Sequence, residues 1–511
     1  MAQFEPARLL RPEVRITGER LLWPGRAVPV PQDWSEAPPP SERIRNNITL
    51  VTVFLYLLFN WGFQQVRIPP VVGGGVPVGE IILFIALLTI RPGAVLGRLS
   101  HQVYLLPFVL WWVFGIGRAL VDVSQHGFWA LRDAAHVLES LFLVVGFVFA
   151  AYPSTIEKFF SWLAKFLVIA VAYGLLYPVN DIFWSVSPTI TSGNGYVVPI
   201  IGTMANSAFL MLMAAFYLLL FHSHRLLALF VATLLIGYPL AVFQTRTLYL
   251  VTIGLFGFLA VYRRSNLGHV LLIGIVAGLL LAVVTLVGLR VEGRLGEELS
   301  ADFLVDHFLA IFGVCVGEHE AVCSAAAGVD QRLGWWQNIF DQMLSDPFKL
   351  LLGLGYGVTL TDFYATGGTA VREPHNSYIT ILARTGIVGA ACWLLMMVSL
   401  VHRWHLSFRH CENLGWREGQ NRLMLLMVFF ICMWVLAIGE DAFEKPYNTI
   451  PFYFFWGVVL RFSLLLANGL IGPEAEGFSD RQPDHPSGAR RVALPGWRAS
   501  EVRADHARGR S

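Results

Sequence analysis

Apolar runs long enough to cross a hydrocarbon core of roughly 30 Å recur about twelve times along this chain. They fall near residues 47–65, 76–91, 102–120, 134–152, 160–178, 197–221, 226–243, 247–262, 268–289, 385–402, 421–439 and 448–467. Runs of that length with few charges predict transmembrane helices. One long interior stretch, residues 290–384, interrupts them; it holds an amphipathic segment, LGWWQNIFDQML, and a Gly-rich one, LLGLGYG. The pattern predicts an all-α, polytopic integral membrane protein of about 12 transmembrane helices with one long outer-face loop. Its parts are a tail (1–45), nine spans (46–289), the loop (290–384), three spans (385–468) and a second tail (469–511). The first tail is polar and Pro-rich and lacks the apolar core of a signal peptide. The second is rich in Arg, Pro, Gly and Asp without apolar period and reads as disordered.

Composition agrees with the pattern. Of 511 residues, 55% are hydrophobic and 14% charged, and the mean hydropathy is +0.59, more apolar surface than a soluble fold buries. The net charge of +2 comes from basic residues scattered over loops and tails, so it points to no nucleic acid. Their distribution sets an orientation. With the N-terminus in the cytoplasm, short inner loops hold Arg91, Arg98, Lys158, Arg225, Arg263, Arg264, Arg403, Arg409, Arg417 and Arg422, whereas short outer loops hold only Arg67, Arg118, Arg132, Arg246 and Lys445. The positive-inside rule then places the long loop on the outer face, the periplasm of a Gram-negative cell, in a bacterial inner membrane.

Charges near the spans gather on that same side: Glu80, Arg118, Asp122, Arg132, Asp133, His136, Glu139, Arg246, Glu440, Asp441, Glu444 and Lys445. Singly, each reads as a solvated helix end or a local pair, as Arg118 and Asp122 do at i,i+4 spacing. Together they suggest a polar vestibule opening outward, since charge at membrane depth faces a wet cavity or a partner. Arg246 lies in FQTRTLYL, in a tight hairpin on the side where Arg is disfavoured. It reads either as a bidentate phosphate ligand or as an Arg snorkelling to lipid headgroups. The stretch from Leu351 to Met397 leaves a Gly-rich loop, passes Arg372 and the pair His375-Asn376, and enters a span.

These features, in order, resemble the O-antigen ligase and polysaccharide polymerase superfamily over about residues 239–460. A span ends in Gln-Thr-Arg (Arg246). The outer loop then carries RLGWWQNIF from Arg332 and DPFKLLLGLGYG, and HNSYITILARTGIVG follows from His375. The resemblance implies a glycosyltransferase acting on the periplasmic face, with no metal and no other cofactor. It implies a donor glycan on undecaprenyl diphosphate and a glycan or lipid-core acceptor hydroxyl. Arg246 and Arg332 match the family's essential arginines, suited to the charge of a departing diphosphate. His375 matches its histidine, either as general base or as a diphosphate ligand. Arg372 is a further substrate-binding candidate only through its closeness to His375; Asn376 either orients His375 or caps the next helix. Within the family the sequence leaves polymerase, ligase and protein O-oligosaccharyltransferase open, and a lipid-linked glycan flippase or transporter is the alternative of another class.

The remaining candidates are weaker. Cys315 and Cys323 share the outer loop, where an oxidising compartment permits a disulfide or leaves two thiols. His402, His405 and His410 sit among arginines of an inner loop and read as part of its basic charge. Trp111, Trp112, Trp335 and Trp336 read either as a sugar path or as interface anchors.

Overall fold

The structure is a computed structural model that describes residues 38–69, 75–90, 103–191, 197–287, 301–314, 320–361 and 371–473. Most of both tails, with Arg91, Arg98 and Cys315, lies outside the described residues.

In chain order, α1 (Pro40–Gln64) leads through a short hairpin, β1 (Arg67–Ile68) with β2 (Val76–Pro77), into α2 (Val78–Thr89). Then come α3 (Leu106–His126), the short α4 (Phe128–Asp133), α5 (Ala135–Glu139) and α6 (Phe142–Phe149), and α7 (Pro153–Leu175). After α8 (Asn180–Val186), β3 (Thr189–Thr191) pairs antiparallel with β4 (Val197–Pro199). The helices α9 (Ser207–Phe221), α10 (Leu226–Val242), α11 (Arg246–Tyr262) and α12 (Leu267–Val287) follow. The described part of the long interior stretch holds α13 (Ala301–Leu309), α14 (Glu320–Leu344), α15 (Pro347–Leu352) and, from Ser377, the start of the next helix. Last are α16 (Ser377–Asn413), α17 (Arg417–Gly439) and α18 (Pro446–Ala467).

Each apolar run contains helix, yet among the described residues six helices (α1, α3, α7, α16, α17 and α18) are long and apolar enough to cross a membrane. Two of the apolar runs are interrupted for local reasons. The run at 134–152 breaks at Ser140, whose Oγ donates to Val137 O at 2.6 Å and competes with the helix ladder. The run from 197 begins as strand, because Val197 and Val198 favour the pleated pairing with β3, and helix starts only at Ser207. The first helix starts at Pro40, ahead of its apolar run.

Almost all of α18 is buried, and the bundle packs around it. Against α6 the two backbones touch. A Cβ at Gly146 would lie 2.0 Å from Phe454 O, and one at Gly457 would lie 2.1 Å from Leu143 O. Small residues of this kind let membrane helices approach where apolar side chains alone give no preference. Stacking of Phe430 on Trp456, at 4.1 Å between ring centres, joins α17 to α18. Away from the cluster described next, Arg422 pairs with Glu157 and Glu418, and Arg461 donates to Ala151 O.

Candidate active site

α16 is two helices in one. Gly386, at φ 64 and ψ −171, breaks it, and the Tyr378 and Trp393 rings lie 5.7 Å apart. On a straight helix those residues would be separated by about 22 Å. The segment 377–385 therefore folds back along 387–413. The turn requires bare backbone: a Cβ on Gly386 would meet Leu351 O at 2.3 Å and Gly353 N at 2.5 Å. The Gly-rich loop thus packs its main chain against the break in α16.

At the start of the folded-back segment stands His375, a non-glycine residue at φ 53. Strain of this kind collects at functional positions. Its Nδ1 lies 3.2 Å from Asp441 Oδ2 and 3.7 Å from Glu440 Oε2, both in the turn between α17 and α18. Asp441 is buried. The Asp441 carboxylate, helped by Glu440, holds the imidazole above its usual range, against burial and the charge of Arg332. From α14, Trp336 Nε1 donates to Pro374 O at 3.1 Å and the Trp335 ring lies 6.2 Å from that of His375. These two tryptophans brace the histidine.

Both arginines converge on this corner. Arg332 Nη1 donates to Gly439 O at 3.0 Å, next to Glu440. A Cβ on Gly439 would lie 3.0 Å from Thr247 Cγ2 and 3.9 Å from Arg332 Nη1, so the start of α11 meets α14 here. Arg246, the first residue of α11, donates to Ala310 O at 2.8 Å. The charges of Arg246 and Arg332 act on one another, and that of Arg332 acts on His375. Each guanidinium carries five donors; among the described residues Arg246 gives one to Ala310 O and Arg332 one to Gly439 O.

The other candidates serve the frame. Asn376 caps α16, its Oδ1 accepting from Ile379 N at 3.1 Å. Arg372 donates to Asp133 Oδ2 at 3.0 Å, Gly357 O at 2.8 Å and Thr359 Oγ1 at 3.0 Å, and lies over the Trp129 ring. Asp133 also pairs with the buried Arg384 at 2.8 Å and accepts from Gly357 N at 3.0 Å. Asp122 pairs with Arg118 at 2.9 Å and accepts from Tyr356 N at 2.7 Å. These ion pairs fasten the Gly-rich loop to α3 and α4. Cys323 is disulfide-bonded and Cys392, Cys411 and Cys432 are free.

Sequence reasoning missed His307 on α13. It is buried, its ring lies 5.5 Å from that of Tyr249, and it feels the charge of Arg246. Gln244, two residues before Arg246, stands at φ 46. No local motif marks it. Among the described residues, no group of three His, Cys, Asp or Glu has metal-holding geometry.

Two cations and a carboxylate-backed imidazole at one corner can receive an anionic leaving group and a proton. Residues 231–394 match the family model described as O-Antigen ligase, a span that includes Arg246, Arg332 and His375. No curated protein matches the chain.

Proposed function

Since the chain is an O-antigen ligase-like membrane protein across residues 231–394, we propose that it is a glycosyltransferase using undecaprenyl diphosphate-linked glycan at the periplasmic face. The observation that carries this reading is the meeting of Arg246, Arg332 and His375, drawn from three separate stretches of chain, at one corner of the bundle. An acceptor hydroxyl attacks the anomeric carbon, the bond from that carbon to the diphosphate oxygen breaks, and the hydroxyl proton passes to His375. Asp441 faces Nδ1 and favours the tautomer with its proton there, leaving Nε2 as the base. Arg246 and Arg332 take the charge that develops on the diphosphate, through donors aimed at where that charge appears. Arg372 and Asn376 support the loop and helix that carry His375.

A groove of about 490 Å³ supports a lipid-linked donor. It starts at Tyr378, within one helical turn of His375, and runs past Trp393, Met397 and Trp434 toward His402 and His405. Its lining is mostly apolar, which suits an isoprenoid chain lying beside α16.

His375→Ala, Arg246→Ala and Arg332→Ala should each lower glycan transfer by about 10²-fold or more while the protein still inserts. Lipid-linked glycan should then accumulate on the outer leaflet; accumulation on the inner leaflet would replace this reading with a flippase. The product in a deletion strain separates the acceptors. A polymerase leaves no long chains, whereas a ligase leaves finished polymer on its carrier lipid.

A further inference from the structure

Behind His375 lies a second carboxyl that the chemistry above does not use. Ser377 Oγ accepts from Phe443 N at 3.0 Å, lies 3.4 Å from Glu440 O, and lies 2.5 Å from Glu444 Oε2. A hydroxyl has one hydrogen and two lone pairs. If Glu444 were ionised, its Oε2 and the Glu440 carbonyl would compete for that single hydrogen. A protonated Glu444 removes the conflict. Its O–H donates to Ser377 Oγ, the Ser377 hydrogen turns to Glu440 O, and the hydroxyl is fully used. Glu444 Oε1, shut away from solvent, has no hydrogen-bond partner among the described residues, which a neutral carbonyl oxygen tolerates better than a charged one.

We propose that Glu444 is held as a neutral carboxylic acid and is a positioning residue, locking the 440–445 turn to Ser377 so that Asp441 faces His375. This inference rests on the reading of His375 as the base. The charges around Glu444 favour the neutral form. Burial pushes its carboxyl up to about 8, Asp441 and Glu373 act in the same direction, and Ser377 and Lys445 oppose them. Tyr356 and Tyr453 also feel its charge. Asp441, Glu440, His375, Arg332 and Arg246 are other ionisable groups described at this corner. Ionisation would place a second anion beside Asp441 and break the hydrogen-bond order at Ser377, so activity should fall on the alkaline side.

Two measurements on the full-length protein in membranes test this. The first is the pH-dependent infrared difference between wild type and E444Q. A protonated carboxyl band should be present at pH 7 in wild type, absent in E444Q, and lost as pH rises through about 8. This readout needs no turnover. If the band is present but wild type transfers no glycan, the functional reading fails while the state of Glu444 stands. The second is the pH profile of transfer. E444Q, whose amide still donates to Ser377, should lose the alkaline fall, whereas E444A and S377A should lower kcat about tenfold at every pH, the equivalent of one lost hydrogen bond. Absence of the band, an alkaline limb kept by E444Q, or E444A behaving like E444Q would each overturn the proposal.

Discussion

His375 stands in the left-handed region, and what holds it there also sets its acidity. Asp441 is the main group raising its pKa. The ion pair therefore adds stability that is complete below the ordinary value of 6.5 and fades as pH rises through the raised value. Asp441→Asn removes the charge, so the acid limb of the activity profile should move to lower pH. The plateau should fall on the order of 10-fold to 10²-fold, because the imidazole loses its orienting partner. A pH–rate profile of the purified variant checks both; an unmoved acid limb would assign that limb to another group. Arg246, Arg332 and His375 were legible because each sits in a recognisable short motif. Asp441 was visible only as one of many charges at helix ends. Its partner lies 66 positions away in sequence, at 375 against 441, and nothing local announces a pairing over that distance. His307 was invisible for the same reason.

Helices were legible from apolar runs, whereas their breaks were not, since Ser140 and Gly386 are single small residues within those runs. The Gly-rich stretch read simply as part of the long outer loop. It is instead fastened by Asp122, Asp133, Arg372 and Arg384, and its main chain presses on the break in α16. Gly386→Ala should accordingly be costly. It puts a Cβ at φ 64 and ψ −171, a backbone region kept to Gly, at about 1–3 kcal/mol, and against two backbone atoms that cannot swing away. Gly257→Ala, on α11 with no atom near the new methyl, should instead be neutral or stabilising by about 0.5–1 kcal/mol. Thermal unfolding in detergent distinguishes the two, and equal melting temperatures would refute the close approach.

At the scale of the whole molecule, the corner that gathers Arg246, Arg332 and His375 is expected to face outward by the distribution of Arg and Lys. Ser345→Cys, just past the end of the helix that carries Arg332, should react with a membrane-impermeant maleimide in cells with a permeabilised outer membrane. Asn413→Cys, at the far end of α16, should react only after lysis. The opposite pattern would invert the orientation. The bundle was predictable in kind from composition, but which helices surround α18 depends on backbone contacts such as Gly146 against Phe454, and spacing does not encode those. The fold-back at Gly386 has a last consequence, one of length. Residues 377–385 rise about 13 Å from the histidine to the turn, while the arginines hang from α11 and α14. The distance between proton acceptor and cations is thus written as a number of residues. One residue more would shift His375 by about 1.5 Å and swing it through about 100°, with no matching change in the helices that carry its partners. The short helix is a ruler, and the chemistry at its foot tolerates little variation in its count.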